Sequence, residues 1–171
     1  LQAGIDAVLQ PLGAGVTPSA APKVASPSEA EAALSSGAPF LEDLARESYD
    51  PAVTFAQPGT ATYSVSMTDP QPVVWGYSWC AADAAMIASN FENIELKFVL
   101  DGKNVPADSF ATFEIETGGK VCRLVYTSLS EWTAGEHHLS TTAVFTSAIN
   151  DGTSDFEPGD YIIEYTVYVK P

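Results

Sequence analysis

The chain has 171 residues, 46% hydrophobic and 11% aromatic, enough apolar material to fill a core and to exclude a globally disordered polymer. Its 22 acidic residues against 7 basic ones give a net charge of −15, which repels phosphate backbones and anionic lipid headgroups and argues against nucleic acid as a partner. No run approaches the roughly 20 apolar residues of a membrane helix, so no membrane insertion is expected.

In chain order, the sequence starts at Leu1 and not at Met, which points to removal of an export signal and to an extracellular or cell-surface setting. Leu1 is not a cysteine, so a lipid-modified start is not indicated. Residues 1–50 are rich in Ala, Pro and Ser, and read as an N-terminal extension distinct from a body at 51–171. Within the extension, Ile5, Val8, Leu9 and Leu12 form an apolar stripe with no local cover. Ser26-Pro27-Ser28-Glu29 is a helix start: a Ser cap, Pro at the first helical position and Glu at the third. The helix predicted over 30–34 stops at Gly37. Phe40, Leu41 and Leu44 then recur at helical spacing, with Glu42, Asp43, Arg46 and Glu47 assigned to water, until Tyr49-Asp50-Pro51 ends the run.

From Phe55 onward, apolar and polar residues alternate and turn formers punctuate the breaks, the period of half-buried strands. Ala61, Tyr63, Val65 and Met67 share one face of the first strand. A second strand covers 73–79, an alanine-rich turn or short crossover helix covers 81–89, and a third strand alternates through Ile94, Leu96, Phe98 and Leu100 to the Asp101-Gly102 turn. Strands over 110–115 and 121–128 are joined by Gly118-Gly119, and strands over 137–147 and 161–169 complete the set. The last places Tyr161, Ile163, Tyr165, Val167 and Val169 on one side. The expected fold is all-β: an antiparallel, immunoglobulin-like β-sandwich of seven or eight strands, preceded by an extension with short helices.

Cys80 and Cys122 fall in strand segments, and an even count in an exported chain favours one disulfide. Trp132-Thr133-Ala134-Gly135-Glu136-His137-His138-Leu139, followed by Glu157-Pro158-Gly159-Asp160-Tyr161 and a closing strand, resembles the tail of bacterial immunoglobulin-like or fibronectin-like extracellular modules. The resemblance spans about residues 120–170 and implies a sandwich in an exported setting. The spacing of Cys80 and Cys122 departs from antibody domains, so an antibody-type bridge between sheets is not implied.

Candidate sites are few. Asp151, Asp155, Glu157 and Asp160 crowd one loop and offer carboxylates to Ca2+, although Gly152 is too early for an EF-hand and a solvated hairpin loop is the simpler account. His137 and His138 are adjacent on a strand and point to opposite faces, so one packed and one exposed histidine is expected. Trp75, Tyr77 and Trp79 share a face, which is core if inward and a sugar-stacking platform if outward. No nucleophile elbow, phosphate-cradling loop or singled-out carboxylate pair argues for an enzyme. The leading expectation is a non-enzymatic extracellular structural or adhesive subunit. Ile5, Val8, Leu9, Leu12, Phe40, Leu41 and Leu44 would be subunit contacts, giving a homo-oligomer or a filament of like copies. The alternative is a carbohydrate- or ligand-binding module of a secreted protein.

Overall fold

The computed structural model describes residues 20–45 and 48–171, and the account below concerns these. The elements are β1 (Lys23–Val24), α1 (Pro27–Ser35), α2 (Leu41–Leu44), α3 (Pro51–Thr54), β2 (Gly59–Met67), β3 (Val73–Ala81), α4 (Ala84–Phe91), β4 (Ile94–Leu100), β5 (Lys103–Val105), β6 (Ala111–Thr117), β7 (Lys120–Ser130), β8 (Gly135–Phe145), β9 (Ile149–Asn150), β10 (Asp155–Phe156) and β11 (Gly159–Val169). Seven of the strands are long, and together they form an all-β sandwich of two sheets. One sheet has β7 at its centre, with β3 on one edge and β6 followed by β1 on the other. The second has the order β2-β11-β8-β4-β5.

Alternation sets these strands. On β11, Tyr161, Ile163, Tyr165, Val167 and Val169 are all buried, and their neighbours face out. The turns obey the chemistry of their residues. Asp101 and Gly102 both adopt positive φ in the β4–β5 hairpin, as do Gly118 and Gly119 between β6 and β7, the backbone that matches strand twist in two-residue loops. One pairing departs from the antiparallel expectation: β2 runs parallel to β11 along its whole length. Parallel neighbours need a long connection, and here every other long strand lies between the two in sequence.

The inner faces meet through aromatic rings. Trp75 packs edge-on to Phe98 at 5.4 Å between centroids, and its Nε1 donates to Thr141 Oγ1 at 3.0 Å across the sheets. Trp79 meets Phe145 at 5.4 Å, and Phe145 meets Tyr161 at 4.2 Å. α4 carries the chain from β3 to β4, as its alanine-rich sequence predicts, with Ile87 buried beneath it.

The boundary expected after residue 50 does not separate two bodies among the described residues. β1 pairs with the end of β7, and Phe40 bridges Val74 at the outer edge of β3. Leu41 is fully buried in the main core. α1 begins at Ser26 with the predicted capping box and ends as predicted, with Gly37 at positive φ. It lies over the outer face of the first sheet, where Ala30, Val74, Ala111 and Tyr126 form a second apolar cluster. The run ending at Tyr49-Asp50-Pro51 is followed by a helix start missed in the sequence: Asp50 caps α3 through Ala52 N at 3.0 Å.

Candidate functional site

Strand register decides what the outer face of the disulfide-bonded sheet presents. Gly76, Tyr126 and Ala111 form one cross-strand row; Ser78, Leu124 and Phe113 form the next; Cys80, Cys122 and Ile115 form a third. Cys80 and Cys122 stand directly opposite each other on β3 and β7 and are joined by a disulfide, with Cα atoms 3.9 Å apart. The bridge lies within one sheet and not between the two. In the first row a Cβ on Gly76 would sit 2.8 Å from Tyr126 Cα, so only glycine lets these two backbones approach.

α1 covers the upper part of this face and leaves the lower part open. The open part is a groove of about 790 Å3, lined by Leu34, Phe40, Phe113, Ile115, Leu124 and the disulfide. Phe113 and Ile115 are 45% and 48% exposed, and all of β6 beyond Ala111 faces solvent. Among the described residues, the acidic side chains lining the groove are Glu31, Glu42 and Asp43, and none of the lining residues is basic.

Glu42 departs from the sequence reading that placed it in water. Its Oε2 is buried with no hydrogen-bond partner among the described residues, and burial raises its pKa to about 7, with the nearby Asp43 carboxylate adding to the rise. Aromatic hydroxyls gather nearby: the Tyr49 and Tyr63 rings are 5.3 Å apart, and those of Tyr63 and Tyr165 are 5.7 Å apart. Burial, with the Glu42 charge second, pushes the Tyr49 and Tyr165 phenols well above their ordinary range, so they stay neutral. A carboxyl poised near neutrality can take or give a proton, but general acid–base chemistry also needs a second group aimed at the same reacting atom. These phenols do not supply it.

The other sequence-predicted sites resolve as follows. Trp75, Tyr77 and Trp79 are 1%, 2% and 5% exposed, so the aromatic stripe is core and offers no platform for sugar rings. Val74, Gly76 and Ser78 face outward, with α1 covering the first. Phe40, Leu41 and Leu44, expected as contacts to another subunit, pack against this chain's own two clusters, because the segment after α1 folds back along β3. Ile5, Val8, Leu9 and Leu12 lie outside the described residues.

The loop between β8 and β11 does not converge on an ion. Asp151 Oδ1 accepts from Thr153 N, Thr153 Oγ1 and Ser154 N, while Oδ2 accepts from Lys120 Nζ at 3.0 Å. These donors hold its carboxyl down at about 2 against the opposing effect of burial. Asp155 Oδ1 accepts from Asn150 Nδ2, and Asp160 is the second residue of β11, opposite Val144. Glu157 contributes its backbone carbonyl to Tyr161 OH at 2.9 Å. Among the described residues, no three His, Cys, Asp or Glu side chains are grouped to hold a metal.

His137 is fully buried between Asp101 Oδ2 at 2.8 Å and the Thr133 carbonyl at 2.9 Å, and Asp101 Oδ1 accepts from His138 N. This knot pins the start of β8 to the β4–β5 turn. His138 is exposed and pairs with Glu136 at 2.8 Å. One packed and one exposed histidine is the arrangement the strand period predicts.

Phe113, Ile115 and Glu42 are the site residues that sequence reasoning passed over. The run Phe113-Glu114-Ile115-Glu116 carried a signal, since strict alternation on a short strand defines two faces, but it did not say that neither face would be covered. No family model matches the chain, and no curated protein does. Among solved structures, Plasmodium falciparum protein Pf12p aligns at 6% identity over 68% of this chain and 44% of its own, with a TM-score of 0.32, too slight a likeness to bear on fold or function. No helix among the described residues is long and apolar enough to cross a membrane.

Proposed function

We propose that the chain is a non-enzymatic adhesive or structural module of an extracellular surface, working by contact through the outside of a closed sandwich. The observation that carries this reading is the open outer face of β6 and β7, where Phe113 and Ile115 stand exposed beside an apolar groove. Exposed apolar patches of this kind mark interaction surfaces. The cystine suits an oxidising compartment, and the resemblance of about residues 120–170 to bacterial extracellular modules points the same way. Adhesion to a different molecule has more support than polymerisation of like copies. Of the seven expected subunit contacts, Leu41 is buried in cis and Phe40 and Leu44 are partly buried against this chain's own clusters, and each copy carries −15.

Antibody labelling of intact, unpermeabilised cells that produce the chain tests the setting, and sedimentation velocity of the purified full chain tests the assembly. Surface labelling with a monomeric sedimentation profile is expected. Confinement to the cytoplasm would overturn the extracellular reading. Fibres of the isolated chain would restore the polymer.

A further inference from the structure

We infer that the free edge of β6 takes up an extended segment of another molecule in which apolar and basic residues alternate. The inference rests on the adhesive reading and names the chemistry of the partner. β6 uses one edge to pair with β7, and no strand among the described residues pairs with its other edge. Such an edge presents a row of unpaired N–H and C=O groups, the template for strand addition.

The side chains of β6 specify what an added strand should carry. Phe113 and Ile115 point to the groove side, continuous with Leu124 and the disulfide. Glu114 and Glu116 point to the opposite side. A neighbouring strand places its own alternate residues beside these two sets. Apolar side chains on the groove side would extend its floor, and basic ones on the other side would meet Glu114 and Glu116. Glu114 already holds Arg123 at 2.7 Å through Oε1. Arg123 thus shows the kind of group this carboxylate accepts.

A second copy fits poorly. Pairing β6 with β6 would set Glu114 and Glu116 against the same carboxylates, in addition to the net charge of −15 on each chain. The charged edge repels its own kind and draws the opposite one. Glu31 along the groove adds to that field.

The test is fluorescence anisotropy with the full chain and three labelled eight-residue peptides: alternating Leu-Lys, alternating Leu-Glu, and a block peptide of four Leu then four Lys. The alternating basic peptide should bind, the acidic one should not, and the block peptide should bind at least about tenfold more weakly. Phe113→Ser with Ile115→Ser should weaken binding by about tenfold or more without changing net charge. Glu114→Lys with Glu116→Lys should transfer the preference to the acidic peptide, a gain that a misfolded variant could not give. Absence of binding by the alternating basic peptide overturns the inference. So does equal binding of the block peptide or of the serine variant, which would mean diffuse charge attraction only. A full chain that dimerises through Ile115 overturns it in favour of a second copy. None of these failures touches cell-surface labelling, which alone decides the extracellular setting.

Discussion

The two faces of the disulfide-bonded sheet carry large apolar residues at alternate positions, and their fates differ. On the inner face Trp75, Tyr77 and Trp79 are at most 5% exposed, whereas on the outer face Phe113 and Ile115 are nearly half exposed. β propensity does not separate them, since all five are aromatic or β-branched. What separates them is the layer opposite: a second five-stranded sheet covers the inner face, and the nine-residue α1 covers only the upper part of the outer one. Alternation tells which residues share a face, and the partner layer decides whether that face becomes core or contact surface.

The largest expected effect tests this contrast directly. Trp75→Ala should cost about 3–5 kcal/mol in guanidinium unfolding, since it opens a cavity and leaves the buried Thr141 hydroxyl without its donor. Phe113→Ala, at a 45% exposed position, should cost less than about 1 kcal/mol. Comparable losses at the two positions would mean that the outer face is covered in solution and is not a contact surface.

The same contrast explains what was legible in the sequence. The strands, the two hairpin turns, the capping box at Ser26 and the crossover helix α4 were readable because each is specified by residues close together in the chain. The disulfide was readable from the even cysteine count, but not its placement within a single sheet, which depends on the pairing of β3 with β7. The parallel register of β2 on β11 and the return of residues 38–45 along β3 are long-range choices that no local pattern encodes. Leu41 and Leu44 read as a sticky helical face because their true cover is remote in sequence. The same blindness put Glu42 in water and left the Phe113-Glu114-Ile115-Glu116 edge unnoticed.

Glu42 sharpens the comparison where the groove meets the core. Its folded-state pKa of about 7 lies above its ordinary value of 4.5. Between these values the folded chain holds more proton than the unfolded chain, so stability should fall as pH rises from about 4.5 to 7 and level off above. A loss of about 1–3 kcal/mol is expected over that window, allowing for partial relaxation of the site. Neighbouring Tyr49 and Tyr165 remain neutral throughout. Asp151, depressed to about 2, contributes stability that disappears only at lower pH. Melting temperatures of the native chain and of Glu42→Gln across this range supply the check. The glutamine variant should lose the decline, and an unchanged slope would place the titration elsewhere.

The smallest effect concerns the cover of the outer face. α1 is held at its start by Ser26, whose side chain accepts from Glu29 N while Glu29 Oε2 accepts from Ser26 N at 2.8 Å. Ser26→Ala removes one half of this reciprocal pair and should cost about 1 kcal/mol, with Ser26→Asn recovering most of it. The location of the loss is more telling than its size. If α1 is a lid over Val74 and Tyr126, amide exchange should quicken in α1 and at the α1-facing positions of β7, while β11, flanked by β2 and β8, changes only by the global amount. Uniform quickening across both sheets would instead make α1 an integral part of the cooperative core. The covered and open parts of the outer face would then differ in sequence alone, not in local stability.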